Sequence, residues 1–151
     1  MTRQCQALLL FLVLFSVRCS QFNRASDGPA GIDTQGDPFL SYIGAQDALA
    51  SDDEDRARAF LVELSESSDP PLGDLAAQAA RSPSIDVMRN AFAEVSDSLI
   101  GSASIPQGYI VVFCPMARGG AGANWVQQKG EIRNPYLGSA MLGCGVPVET
   151  P

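Results

Sequence analysis

Residues 82–101 read Ser-Pro-Ser-Ile-Asp-Val-Met-Arg-Asn-Ala-Phe-Ala-Glu-Val-Ser-Asp-Ser-Leu-Ile-Gly. A serine followed by proline is a helix-start signal, because the serine can cap free amides and the proline ring already holds a helical φ. Ile85, Met88, Phe92, Val95 and Leu99 then recur at spacings of three and four, the period of one helix face. Gly101 is a natural stop. The stripe predicts an amphipathic helix, with Met88 and Phe92 as core residues rather than ligands.

Three more starts lie upstream. Asp37-Pro38 precedes Phe39, Tyr42, Ala45 and Leu49 at helical spacing, with Tyr42 read as core. Ser51 to Glu54 matches a capping box ahead of Ala57, Phe60, Leu61 and Leu64. Asp69-Pro70 opens a shorter stretch with Leu72, Leu75, Ala76 and Ala79 on one side. Short amphipathic helices joined by brief loops bury their stripes best against one another. The expected class is therefore mainly α: a small antiparallel four-helix bundle followed by a C-terminal β-hairpin and loop segment, together spanning 37–146.

The start of the chain reads differently. Ala7 to Val17 is an almost unbroken apolar run behind Arg3. It is shorter than the ~20 residues a spanning helix needs, and it lacks the polar face of a core helix. It fits the apolar stretch of a secretory signal, so 1–19 is expected to be a leader. Cys19 stands where a bacterial lipoprotein would be cleaved and acylated, although Arg18 departs from the usual small residue before it. Cleavage there without a lipid is the alternative. Residues 20–36 are rich in Ser, Asp, Gly, Gln and Asn and read as a flexible tether. The domain is thus expected in the periplasm, or held at a membrane only through a lipid on Cys19.

Composition removes several functions. The 151-residue chain carries a net charge of −7, and its only lysine is Lys129. There is no basic stripe for nucleic acid. The run Asp52 to Asp55 reads as the acidic first turn of a helix before it reads as a cation site. There is no histidine, which excludes Ser–His–Asp and Cys–His catalysis and any His-ligated zinc or copper.

The chemistry-bearing residues gather between Tyr109 and Gly145. Tyr109-Ile110-Val111-Val112-Phe113 is β-branched and aromatic, hence a strand after the turn at Pro106-Gln107-Gly108. It runs into Cys114-Pro115-Met116, a glycine-rich loop from Arg118 to Ala123, and a short return strand at Asn124-Trp125-Val126. Asn134-Pro135-Tyr136 signals a turn, and Met141-Leu142-Gly143-Cys144-Gly145 closes the segment. Cys114 and Met116 are two apart; Met141 and Cys144 are three apart. Each thiol–thioether pair can share one side of its local structure. Such soft donors select Cu(I) or Ag(I) and suit zinc poorly. The competing reading is a Cys114–Cys144 disulfide stapling the segment. Trp125 shields a metal or anchors the hairpin, Arg133 contacts a partner or the acidic helices, and Tyr136 packs the turn.

The run Cys114-Pro115-Met116-Ala117, Trp125, Glu131 to Tyr136, Gly138, Met141 and Cys144-Gly145 resembles a bacterial envelope domain family of unknown function. Members of that family also occur appended to periplasmic adaptor subunits of heavy-metal efflux pumps. Tyr42, Ala48-Leu49 and Asp52-Asp53 resemble its first helix, and Arg89, Phe92 and Ser96 its last. The resemblance covers most of the chain after the tether. It differs at Val111 to Phe113, where histidine or polar residues are common, and at Leu137, where a second aromatic is common. What it implies is copper-group metal handling outside the cytoplasm. Cys114, Met116, Met141 and Cys144 are the implied ligands, Trp125, Arg133, Asn134, Pro135 and Tyr136 the supporting residues, and an efflux adaptor or other envelope protein the partner. The alternative function is a disulfide-stapled interaction module without metal. An enzyme, such as a thiol oxidoreductase, is not expected, since there is no C-x-x-C and no histidine.

Overall fold

The computed structural model describes residues 36–102 and 104–148. The leader, Cys19 and all but the last residue of the tether lie outside the described residues. The described chain is mainly α with a small antiparallel sheet. In order, the elements are α1 (Pro38–Ala50), α2 (Glu54–Ser67), α3 (Leu72–Ala80), α4 (Ile85–Ser102), β1 (Tyr109–Cys114), a single turn α5 (Ala117–Gly120), β2 (Ala123–Gln128), a 3₁₀ turn (Gly138–Ala140) and β3 (Val146–Val148). Among the described residues, no helix is long and apolar enough to cross a membrane.

Helix α1 starts as the sequence predicts: the Asp37 carboxylate accepts from the Phe39 amide at 2.9 Å, with Pro38 in the first turn. It is buried along most of its length from Ser41 to Ala50. The helices pack in order, α1 on α2, α2 on α3 and α3 on α4, while β2 lies against both α4 and α1. Tyr42, Leu49, Leu61, Leu64, Met88, Phe92 and Val95 fill the core without solvent exposure.

Three helix starts differ from the local reading: α4 begins at Ile85 rather than at Pro83, with Ser84 Oγ rather than Ser82 accepting from the Val87 amide at 3.5 Å, and the starts of α2 and α3 also move. Ser51 does not cap α2; its amide closes the end of α1 on the Asp47 and Ala48 carbonyls. Asp53 is the cap, accepting from the Arg56 amide at 3.0 Å. Glu54, expected to complete the capping box, instead accepts from the Ile85 amide at 3.0 Å and so caps α4 from a different helix. Arg58 pairs with Glu54 at 2.6 Å and donates to the Ser82 carbonyl at 2.9 Å, which fixes the α3–α4 corner. Helix α3 begins at Leu72 rather than directly after Asp69. Pro70 precedes Pro71, and a residue before proline is disfavoured in helical geometry.

The sheet has the order β2-β1-β3, with both pairings antiparallel. Strand β1 pairs with β2 from Tyr109↔Gln128 to Cys114↔Ala123. The glycine-rich loop between them is a tight turn with left-handed backbone at Arg118, Gly119 and Gly120. The third strand has no counterpart in the expected hairpin. It pairs Val111↔Val148 and Phe113↔Val146, and Pro147 sits at the sheet edge, where a missing N–H is tolerated.

Helices and sheet meet at a buried polar contact. Tyr42 stacks on Phe92 with ring centroids 5.1 Å apart. Its hydroxyl accepts from the Val126 amide at 3.0 Å and lies 2.8 Å from Ser96 Oγ. Burial pushes the Tyr42 hydroxyl pKa well up, so the phenol stays protonated. Tyr42→Phe should cost about 1–3 kcal/mol in urea unfolding, because it strips a partner from a buried amide. A loss within experimental error would mean that this contact does not hold β2 to α1.

Candidate functional site

Cys114 ends β1, and Cys144 stands two residues before β3. The pairing Phe113↔Val146 therefore brings the two cysteines to the same end of the sheet. Their sulfurs lie 3.0 Å apart, and both are free thiols. Cys114 is buried and Cys144 partly exposed. The Cys144 pKa is raised, first by the hydrogen bond with Cys114, then by burial, then by the charge Cys114 would carry.

The segment carrying Cys144 is held from below. Asn134 is fully buried, and its side-chain amide donates to the Cys144 carbonyl at 2.6 Å. Its Oδ1 accepts from the Tyr136 amide at 2.8 Å and the Leu137 amide at 3.1 Å. Its backbone N–H donates to the Leu142 carbonyl at 2.8 Å. Asn134 thus ties the Asn-Pro-Tyr turn to the cysteine segment. Gly145 lies so close to Trp125 that an added Cβ would stand 2.6 Å from the indole Cη2 and 2.8 Å from Val112 Cγ1. The glycine lets the backbone beside Cys144 rest on the ring. Trp125 is fully buried, with its Nε1 donating to Gln127 Oε1 at 3.0 Å and its ring edge-on to Tyr136 at 5.9 Å. It serves as the floor of the segment.

The remaining motif residues latch this floor to the helices. Arg133 donates from Nε to Asp47 Oδ1 at 2.9 Å and from Nη2 to Ser51 Oγ at 2.7 Å, while Gln46 Nε2 donates to its carbonyl at 2.7 Å. Arg89 donates to the Pro135 carbonyl at 3.1 Å and the Leu49 carbonyl at 2.8 Å, and pairs with Asp52. Tyr136 Oη lies 3.2 Å from Ser96 Oγ and also bonds the Asn124 carbonyl. Burial raises the Tyr136 pKa, so this phenol too is neutral. Gly138 has a positive φ of 54°, and a Cβ there would collide with Asp52 Oδ1 and Arg89 Nη2. Tyr42, Arg89 and Ser96 from the helices, and Asp52 from the turn between α1 and α2, are thus among the residues that grip the C-terminal segment.

Hydrogen bonds from Ser139, then Arg89, lower the Asp52 pKa from 3.8 to about 2. A depressed carboxylate pKa adds stability that is present above the unfolded pKa and is lost as pH falls through the folded one. Lowering the pH from 3.8 to about 2 should therefore weaken the latch. Asp52→Asn should flatten the stability-versus-pH curve in that window, read by circular dichroism during acid titration. An unchanged curve would mean that the Asp52 contacts contribute nothing.

The sequence-expected ligands separate into two kinds. The structure joins Cys114 and Cys144. Met116 and Met141 are 54% and 41% exposed, so neither packs in the core. They flank the thiols in the chain, two residues after Cys114 and three before Cys144. Among the described residues, no group of three or more His, Cys, Asp or Glu is placed to hold a metal ion. Any ion here must rest on the two thiols, with thioether or external ligands completing the set.

Two sulfurs on one tetrahedral metal, with bonds of ~2.3 Å, sit roughly 3.8 Å apart. A disulfide closes them to ~2.05 Å. The 3.0 Å separation lies between these values, so each state needs a shift of about an ångström or less. The site therefore fits a soft metal and fits a disulfide. No family model, curated protein or solved structure matches this chain.

Proposed function

We propose that this is an exported soft-metal binding domain: an antiparallel four-helix bundle carrying a Cu(I) or Ag(I) site at Cys114 and Cys144. The observation that carries the reading is the convergence of two free thiols at 3.0 Å in a chain without histidine. Thiolates supply the affinity. Met116, two residues after Cys114, and Met141, three before Cys144, are exposed and supply thioethers that favour Cu(I) over zinc. The flexible, unbranched methionine side chain suits a donor that must turn toward an incoming ion.

A partner is part of the proposal. Of the six large apolar residues exposed among the described residues, four are close in the chain to a cysteine: Met116 to Cys114, and Met141, Val146 and Val148 to Cys144. Scattered apolar residues need no explanation, but a set gathered along the segments beside one site suits contact with another protein. An efflux adaptor or other envelope metal carrier would present its own soft ligands there. Nucleic acid is not a candidate, given the net charge of −7. Membrane attachment would come only from a lipid on Cys19.

The second reading, a Cys114–Cys144 staple in a metal-free interaction module, draws on the same 3.0 Å contact. Anaerobic titration of the reduced protein separates the two. Against a coloured Cu(I) chelator, the metal reading expects a single equivalent to be withheld, with little competition from zinc. A reduced protein that leaves all Cu(I) with the chelator supports the staple.

A further inference from the structure

The two sulfurs are close but not equivalent. Cys114 is fully buried at the end of the central strand, whereas Cys144 lies on a loop and is partly exposed. Solvent-borne reagents therefore meet one sulfur of the pair first. We propose that Cys114 and Cys144 form a thiol–disulfide exchange site in which Cys144 is the sulfur attacked by, or attacking, an external disulfide or thiol, and Cys114 is the resolving sulfur.

The step balances without a metal. The Cys144 thiolate attacks one sulfur of an external disulfide R–S–S–R, forming Cys144–S–S–R and releasing RS⁻. The Cys114 thiolate, already in contact with Cys144 Sγ, attacks that sulfur and releases the second RS⁻. The domain loses two thiol protons and two electrons, and the external disulfide is reduced to two thiols. An external thiolate reverses the sequence by attacking Cys144 Sγ, with Cys114 as the leaving group. The substrate class is a low-molecular-weight disulfide. The 3.0 Å contact favours fast resolution, so the mixed disulfide should not accumulate in the intact pair.

The consequence for metal rests on the function proposed above: the bonded form has no thiolates to offer, so exchange would gate Cu(I) binding. The exchange itself does not require that reading, and its test is run without metal. Reduced, metal-free full-length protein is exposed to oxidised glutathione, quenched with acid and mapped by tryptic mass spectrometry. Cleavage at Arg118, Lys129 and Arg133 places Cys114 and Cys144 in different peptides, and both are separated from Cys5 and Cys19.

The intact pair should yield a Cys114–Cys144 cross-link with no lasting adduct on either. Cys114→Ser should accumulate a glutathione adduct on Cys144. Cys144→Ser should leave Cys114 a free thiol, reacting at least ten-fold more slowly. Equal reactivity of the two remaining thiols, or a stable mixed disulfide in the unsubstituted protein, would overturn the proposal. A substoichiometric pulse of iodoacetamide on the reduced unsubstituted protein guards against misfolded variants. It should label Cys144 ahead of Cys114, and the reverse order would equally overturn the assignment. If exchange proceeds as described but the reduced protein binds no Cu(I), the metal reading alone fails.

Discussion

Trp125→Ala should lower the stability of the domain by about 3–5 kcal/mol, the range for removing a large buried aromatic. The indole has no solvent exposure, and its loss leaves a cavity beneath the cysteine segment. It also strips a donor from Gln127 Oε1, although that oxygen keeps the Arg133 amide at 3.0 Å. The edge-on contact with Tyr136 goes as well, and with it part of the bridge from the sheet to Ser96 on α4. Gly145 would lose the surface on which the backbone beside Cys144 rests. Chemical denaturation followed by far-ultraviolet circular dichroism measures the effect. A loss below about 1 kcal/mol would mean that the ring is not the floor of the segment.

Cys114→Ser or Cys144→Ser should each weaken Cu(I) binding by at least about a hundred-fold, or about 2.7 kcal/mol. The substitution replaces a soft thiolate with a hard, neutral hydroxyl, and only two thiols meet at the site. Met116→Leu and Met141→Leu should weaken binding by less than about ten-fold, because exposed thioethers add selectivity to a site the thiolates already hold. Competition with a Cu(I) chelator gives all four constants on one scale. Two serine variants that bind as tightly as the unsubstituted protein would remove the thiols from the site.

The helical part of the chain is legible in the sequence because its stripes are local. Ile85, Met88, Phe92, Val95 and Leu99 can be read at a spacing of three and four, and four of them are buried while Ile85 packs partly against the core. What local spacing cannot supply is a partner from elsewhere in the chain. Glu54 matches a capping box with Ser51, yet its carboxylate serves Ile85, 31 residues away. Asp52 sits in an acidic run that reads as a helix start, yet it anchors Arg89 and Ser139. Strand β3 is three residues long, exposed and interrupted by proline, so it gives no alternation to detect.

The candidate site divides the same way. The thiol pair is anticipated because a strand and a returning loop can bring Cys114 and Cys144 together. The work of the Asn-Pro-Tyr run is less visible. Nothing in the spacing says that Asn134 bonds the Cys144 carbonyl, or that Arg89 holds the Pro135 carbonyl from a helix. The residues alone allow Arg133 to contact a partner or the acidic helices; it pairs with Asp47. Motif residues that look functional by type are therefore largely the frame that sets the two sulfurs in place.

The most direct test of that account is X-ray absorption at the copper edge on reduced protein loaded anaerobically with Cu(I). The account predicts an all-sulfur shell that loses a sulfur scatterer in Cys114→Ser and in Cys144→Ser. A shell of oxygen or nitrogen ligands, or one unchanged by both substitutions, would contradict it.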